Sequence, residues 1–231
     1  MTIRVGTYNL HGMRDDAAAL TRVIAAARAD VLCVQEARRS GRWRARRAAL
    51  AASAGLAVAT PGRVGGVAVL VGRRLRVLHA ESHALRPFLG LERRGLAVAV
   101  VQAEGTRLAV GSLHLDLSAP ARMHHAAEAV ALMERVAGAY EAAIVLAGDV
   151  NEQAHQPAWR YLAGRLADCH AVAPDGDGLS FPAASPSARI DGVFAARDLR
   201  VVSCGGVDAP IADLTGASDH LPVVAELRVG H

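Results

Sequence analysis

The sequence has no lysine, so its whole Lys+Arg total of 26 is arginine. Arginine is the planar, bidentate phosphate binder, but uniform arginine in a chain this rich in Ala and Gly fits genomic base composition equally well. The formal net charge of +4 therefore selects no partner by itself. Aromatic residues make up only 3% of the chain, which excludes a single-strand binder built on a row of stacking rings. Cysteine is scarce too. Cys33, Cys169 and Cys204 are odd in number and widely spaced, which excludes a disulfide framework and a zinc knuckle. No apolar run reaches about 18 residues, and the first residues lack the charged and apolar regions of a signal peptide. A cytoplasmic protein without stable membrane association is expected.

Apolar residues are plentiful. With 52% hydrophobic and 21% charged residues, the chain can bury a sizeable core, and the disorder signature of low hydrophobicity with high charge is missing. The length of 231 residues suits a single domain over 1–231, taken as monomeric.

Ile3, Val5 and Thr7 share one face of a strand that ends at Tyr8-Asn9-Leu10-His11-Gly12. Leu20, Val23, Ile24 and Ala27 repeat at helical spacing, and Val31-Leu32-Cys33-Val34 reads as a buried strand. This β-α-β opening predicts parallel strands carrying Asn9 and Glu36 to one sheet edge. Runs at 56–60, 67–71, 74–80, 96–103 and 107–113 read as an antiparallel meander, with Glu104-Gly105 as a hairpin link. A helix over 121–138 follows, with Met123, Ala126, Val130, Met133 and Val136 on its apolar face, then the strand Ile144-Val145-Leu146-Ala147. Pro157 opens a helix burying Trp159, Leu162 and Leu166. A Pro/Ser/Gly-rich loop spans 174–187, and strands at 190–195, 199–203 and 223–229 close the chain. Two loosely similar halves predict an α/β fold, a four-layer sandwich of two packed mixed sheets with outer helices.

Asn9, Glu36, His114 with Asp116, Asp149 with Asn151, Asp191, and Asp219 with His220 each follow or end an apolar strand-like run. Taken singly, each has an ordinary role as a turn residue, a helix cap or half of a surface pair. Together, ligands at the ends of neighbouring strands converge on one crevice. Carboxylates and an amide without thiolates suit a hard cation, Mg²⁺ or Mn²⁺, with Glu36 its first ligand. Imidazoles beside such an ion hold a phosphate oxygen or move a proton, which puts His114 and His220 on the substrate side.

The blocks Thr7-Tyr8-Asn9-Leu10-His11-Gly12, Val34-Gln35-Glu36, Ser112-Leu113-His114-Leu115-Asp116, Gly148-Asp149-Val150-Asn151, Arg189-Ile190-Asp191-Gly192-Val193-Phe194 and Ser218-Asp219-His220-Leu221-Pro222 resemble, in order, the signature blocks of the endonuclease/exonuclease/phosphatase superfamily. The resemblance implies that Glu36, with Asn9 close by, binds the divalent cation and that Asp219 extends the metal site. It implies that Asp149 and Asn151 position the attacking water and scissile phosphate, that Asp191 orients His220, and that His114 contacts a non-bridging oxygen. The reaction so implied is in-line displacement at phosphorus; either Asp149 or His220 takes the water's proton. The sequence departs from the deoxyribonuclease I-like pattern in having no acid between Gly65 and Gly72 to partner His114, a place Asp116 could fill. There is also little spare length for duplex-gripping insertions.

Arg38, Arg39, Arg42, Arg44, Arg46 and Arg47 begin just after Glu36. They read either as an anion clamp or as the wet face of a helix whose other side holds Trp43, Ala48 and Leu50. Arg38, Arg39 and Arg189 are the substrate-binding candidates, and Arg93, Arg94 and Arg122 are possible additions to the clamp. The expected substrate is a phosphodiester of nucleic acid or a nucleotide. An inositol phosphate or phospholipid headgroup is the alternative, and a catalytically silent binding module ranks below both.

Overall fold

The computed structural model describes residues 1–37, 41–62 and 64–230. Arg38 and Arg39, which open the expected clamp, lie outside the described residues. The elements run β1 (Thr2–Asn9), α1 (Ala17–Ala27), β2 (Val31–Gln35), α2 (Trp43–Ser53), β3 (Leu56–Val58), β4 (Ala68–Gly72), β5 (Arg76–Ala84), β6 (Gly95–Ala103) and β7 (Thr106–His114). They continue as α3 (Ala119–Tyr140), β8 (Ala143–Asp149), α4 (Pro157–Arg165), β9 (Ala167–Asp168), α5 (Cys169–Val172), β10 (Pro174–Asp175), β11 (Asp191–Ala195), β12 (Arg200–Gly205), α6 (Ile211–Ala217) and β13 (Val223–Arg228).

Local chemistry fixes the first unit. The Asp16 carboxylate accepts from the Ala18 and Ala19 amides and starts α1, and Arg28 ends it in the left-handed region. Leu20, Val23, Ile24 and Ala27 are buried as the spacing predicts. The chain then returns as β2, parallel to β1, with Asn9 beside Gln35, so the carboxyl ends of both strands share one edge. A second parallel pair, β7 and β8, sets His114 beside Asp149. Here a glycine is required, because a Cβ on Gly148 would lie 2.1 Å from the Leu113 carbonyl oxygen.

Among the described residues the strands form two mixed sheets, in the orders β10-β12-β13-β1-β2-β4-β3 and β5-β6-β7-β8-β11-β9. Helices α1 and α6 cover the first sheet and α3 and α4 the second, giving the four-layer sandwich. The meander prediction is half corrected. The runs forming β5, β6 and β7 are one antiparallel meander, but β3 and β4 join the other sheet beside β2. An alternating run with a turn looks the same whichever sheet receives it. The loop at 174–187 contains β10 and ends in a bridge between Phe181 and Ala188.

Because side chains alternate across a strand, the faces turned toward the opposing sheet can be followed residue by residue. β1 presents Ile3, Val5, Thr7 and Asn9; β2 presents Val31, Cys33 and Gln35; β7 presents Leu108, Val110, Ser112 and His114; β8 presents Val145, Ala147 and Asp149. Each of these faces is apolar for most of its length and polar at its carboxyl end. Antiparallel to β8, β11 begins at that same end with Asp191, opposite Asp149, before Val193 and Ala195 enter the core.

Candidate active site

Asn9 sits where the sheets' polar ends meet. Its Oδ1 accepts the His11 backbone N–H at 3.0 Å, which fixes the amide's orientation because a backbone N–H can only donate. The Nδ2 end consequently faces inward, 3.0 Å from Asp149 Oδ2, 3.4 Å from Glu36 Oε1 and 3.5 Å from His220 Nε2. Asn9 was expected near the cation as a ligand. In this orientation it bridges two carboxylates as a donor, and its oxygen is already engaged. Glu36 follows β2 in the left-handed region, with a φ of 48°.

The second sheet supplies the rest. Asp149 is buried, with Oδ2 3.4 Å from His114 Nε2 and 3.8 Å from His220 Nε2 and with Oδ1 accepting the Asn151 N–H at 2.9 Å. His220 Nδ1 lies 2.8 Å from Asp191 Oδ2, and its ring packs against Phe181 with centroids 4.8 Å apart. The Ser180 hydroxyl accepts the Ile190 and Asp191 amides, and the Ser218 hydroxyl donates to the Asn9 carbonyl and accepts the His220 N–H. The loop carrying His220 is thereby tied to the end of β1. Asn151 is reached by a left-handed turn, and its side-chain amide donates to the Leu115 carbonyl at 3.0 Å, bracing the loop after His114.

Burial and neighbouring charge set the ionisation. Loss of solvent pushes the Asp149 carboxyl up to about 7; the Asp191 charge adds to this, and His220 and Asn9 oppose it. Burial alone would lower His220, but the charge and hydrogen bond of Asp191 outweigh it and raise the imidazole to about 9. His220 is therefore an imidazolium at neutral pH, with Nδ1–H held by Asp191 and Nε2 facing Asp149.

Of the expected residues, Asn9, Glu36, His114, Asp149, Asp191 and His220 form one contact network. Asp219 lies at its margin, half-exposed, with Oδ2 3.3 Å from His11 Nε2. Arg189 does not behave as a substrate ligand. Its guanidinium forms a fork on Asp168, at 3.0 and 2.9 Å, and stacks 4.5 Å from the Trp159 ring. Both its donor edge and its face are committed to the protein. Asp116 does not serve His114 either, since it accepts from Arg94 Nε at 3.3 Å and from the Ser118 N–H.

Arg122 is likewise internal, bonded to Glu152 and to the Asp116 and Leu117 carbonyls. The α2 face also differs from expectation: Ala48 is exposed, while Arg47 is buried and donates to the Ala37 and Gly62 carbonyls. Sequence reasoning missed Ser180, Ser218 and the His11–Asp15 pair at 2.7 Å, which flank the site without being charged candidates in a signature. Ser218 and His11 stand inside quoted blocks, which was the available signal, whereas Ser180 stands apart from every block and had none.

A model of the Endonuclease/Exonuclease/phosphatase family matches residues 6–220. No curated protein matches the chain. The structure is similar to the endonuclease/exonuclease/phosphatase from Bacteroides vulgatus, with a TM-score of 0.83, 18% identity and 100% coverage of each chain. It is also similar to the mannosyl-6-phosphatase of Bacteroides thetaiotaomicron, with a TM-score of 0.79, 16% identity and coverage of 98% of this chain and 100% of that one. The human Nocturnin catalytic domain with bound sulfate gives a TM-score of 0.75 at 14% identity, covering 98% of this chain and 94% of that one.

Proposed function

Because the chain belongs to the Endonuclease/Exonuclease/phosphatase family, we propose that it is a divalent-metal-dependent phosphoesterase cleaving a phosphodiester of a nucleic acid or nucleotide by attack of water. The observation that carries the reading is the meeting at Asn9 Nδ2 of Glu36, from the first sheet, and Asp149, from the second, with the His220–Asp191 pair alongside.

The residues fit a hard dication. Glu36 and Asp149 each bring a carboxylate oxygen to Asn9 Nδ2 without a thiolate, and Asp191 Oδ1 is buried without a hydrogen-bond partner. Ligand atoms of Asp149, Asp191 and His220 also lie within 4.8 Å of one another, but a protonated His220 has no lone pair to offer an ion. Glu36 is the better ligand, with Asp219 at the margin extending the site. Bound Mg²⁺ or Mn²⁺ would supply Lewis-acid charge on a phosphoryl oxygen.

The chain's own groups do the remaining work. His220, already protonated, donates from Nε2 to a phosphoryl oxygen, and Asp191 fixes its tautomer and supports its charge. A protonated ring cannot accept the water's proton, so that task falls to Asp149, whose carboxylate Asn9 and Asn151 orient. His114 contacts a second non-bridging oxygen. The diester reading draws on the arginines that follow Glu36 in the sequence. Arg94, Arg122 and Arg189 add nothing to it, because all three are paired internally.

The test is release of product from plasmid DNA, a single-stranded oligonucleotide, a bis-aryl phosphodiester, a sugar phosphate and an inositol phosphate, each with Mg²⁺, Mn²⁺ or chelator. Metal-dependent turnover of the nucleic-acid substrates or the diester is expected. Turnover of the monoesters alone would replace the diester reading, and none with any metal would leave a silent module.

A further inference from the structure

Directly beneath the ionisable groups, the space between the sheets holds a second polar layer that no catalytic role explains. The Thr7 hydroxyl donates to Gln35 Oε1 at 3.2 Å, Gln35 Nε2 donates to the Ser112 hydroxyl at 3.2 Å, and that hydroxyl donates to the Val34 carbonyl at 3.1 Å. All three side chains are fully buried. Thr7 and Gln35 belong to β1 and β2 of one sheet and Ser112 to β7 of the other, so the chain of bonds crosses between the sheets. Below it the facing side chains are Val5, Val31, Cys33 and Val110, whose contacts are non-directional apart from one weak bond from the Cys33 thiol to the Gly111 carbonyl at 3.5 Å.

We propose that Gln35 is a positioning residue, a directional staple that sets the offset of one sheet on the other and thereby the distance between the two halves of the site. Apolar faces tolerate small sliding, whereas the bonds that cross, from Gln35 Nε2 to the Ser112 hydroxyl and from that hydroxyl to the Val34 carbonyl, hold at one offset only. The Gln35 carboxamide is fixed at its other end by Thr7, and a shift would orphan a buried donor and a buried acceptor. Leverage on the site is short. Gln35 immediately precedes Glu36, Thr7 lies two residues before Asn9 on the same face, and Ser112 lies two before His114. The β7 end also carries Asp149 through the parallel pairing of His114 with Asp149. A shift of about 1 Å between these ends is large for a reacting geometry.

The consequence for turnover rests on the proposed phosphoesterase reading, but the geometric claim does not. Gln35→Leu, which keeps volume and removes both bonds, is to be crystallised beside the parent and compared in melting temperature and in Mn²⁺-dependent turnover. The Glu36-to-His114 separation is expected to change by about 1 Å or more. Melting temperature should fall, since the buried Thr7 hydroxyl loses its acceptor. The Mn²⁺ concentration for half-maximal rate is expected to increase at least tenfold.

Thr7→Val should move the same quantities the same way, and Thr7→Ser, which keeps the hydroxyl, should restore them. Thr7→Val also serves if Gln35→Leu does not fold. Superposition of the variant site on the parent within about 0.5 Å, with unchanged metal dependence, would overturn the proposal. A parent that hydrolyses no phosphoester would retire the functional reading alone, leaving the crystallographic offset to decide this one.

Discussion

Where β1, β2 and β7 begin, the space between the sheets is filled by Ile3, Val31 and Leu108; where they end, the same faces present Asn9, Gln35 and His114. The apolar end gains by removing hydrocarbon from water, about 25 cal/mol per Å². The polar end gains little from burial, because Asp149, Asp191, His114 and His220 each give up hydration for a few hydrogen bonds and partial charge pairing. The comparison teaches a division of labour within single strands: stability is built at one end, and its surplus holds ionisable groups at the other in an arrangement water would not otherwise permit.

Substitutions can break that comparison from either end. The largest expected effect is on chemistry: Glu36→Gln, Asp149→Asn and His220→Ala should each lower turnover at least a thousandfold, about 4 kcal/mol, with circular dichroism unchanged. Near-parental rates in any two would remove the catalytic assignment. At the opposite end, Ile3→Ala should cost about 2–5 kcal/mol in urea unfolding while leaving the turnover number intact. A comparable loss of turnover there would mean that the two ends are not separable.

Arg189→Ala sharpens the comparison on the six-stranded side. Loss of the fork on Asp168 should cost about 2 kcal/mol of stability with KM unchanged, whereas a raised KM with full stability would return Arg189 to the substrate. A further effect is pH-dependent and comes from Asp149. Its folded pKa of about 7 lies above the ordinary 3.8, so in the metal-free protein its charge costs stability progressively as pH rises from about 4 to about 7. Asp149→Asn should therefore melt a few degrees higher than the parent at pH 8 and at nearly the same temperature at pH 4. A gain that is the same at both pH values would place the effect in packing.

Much of this arrangement was legible in the sequence because its signals are local. The i, i+3, i+4 spacing of Leu20, Val23 and Ile24 marks α1, the long apolar stripe through Met133 marks α3, and polar residues closing apolar runs mark the strand ends that meet in the site. What was hidden depends on partners far along the chain. Arg94, Arg122 and Arg189 read as surface cations because Asp116, Glu152 and Asp168, which neutralise them, lie 22, 30 and 21 residues away. The destination of β3 and β4 depends on β2, whose pairing with β4 leaves no trace in their own alternation. Short α6 carries a glycine and a proline-capped start and buries only Ala217, too weak a stripe to stand out. The inward turn of the Asn9 amide is set by a backbone N–H, which no side-chain pattern encodes.

The central claim is tested most directly by titrating the apoprotein with Mn²⁺ and following free ion by electron paramagnetic resonance, for the parent and for Glu36→Gln. Saturable binding by the parent, lost or weakened at least tenfold in Glu36→Gln at an unchanged melting temperature, is the predicted result. Equal binding by the two proteins, or none by the parent, would contradict it.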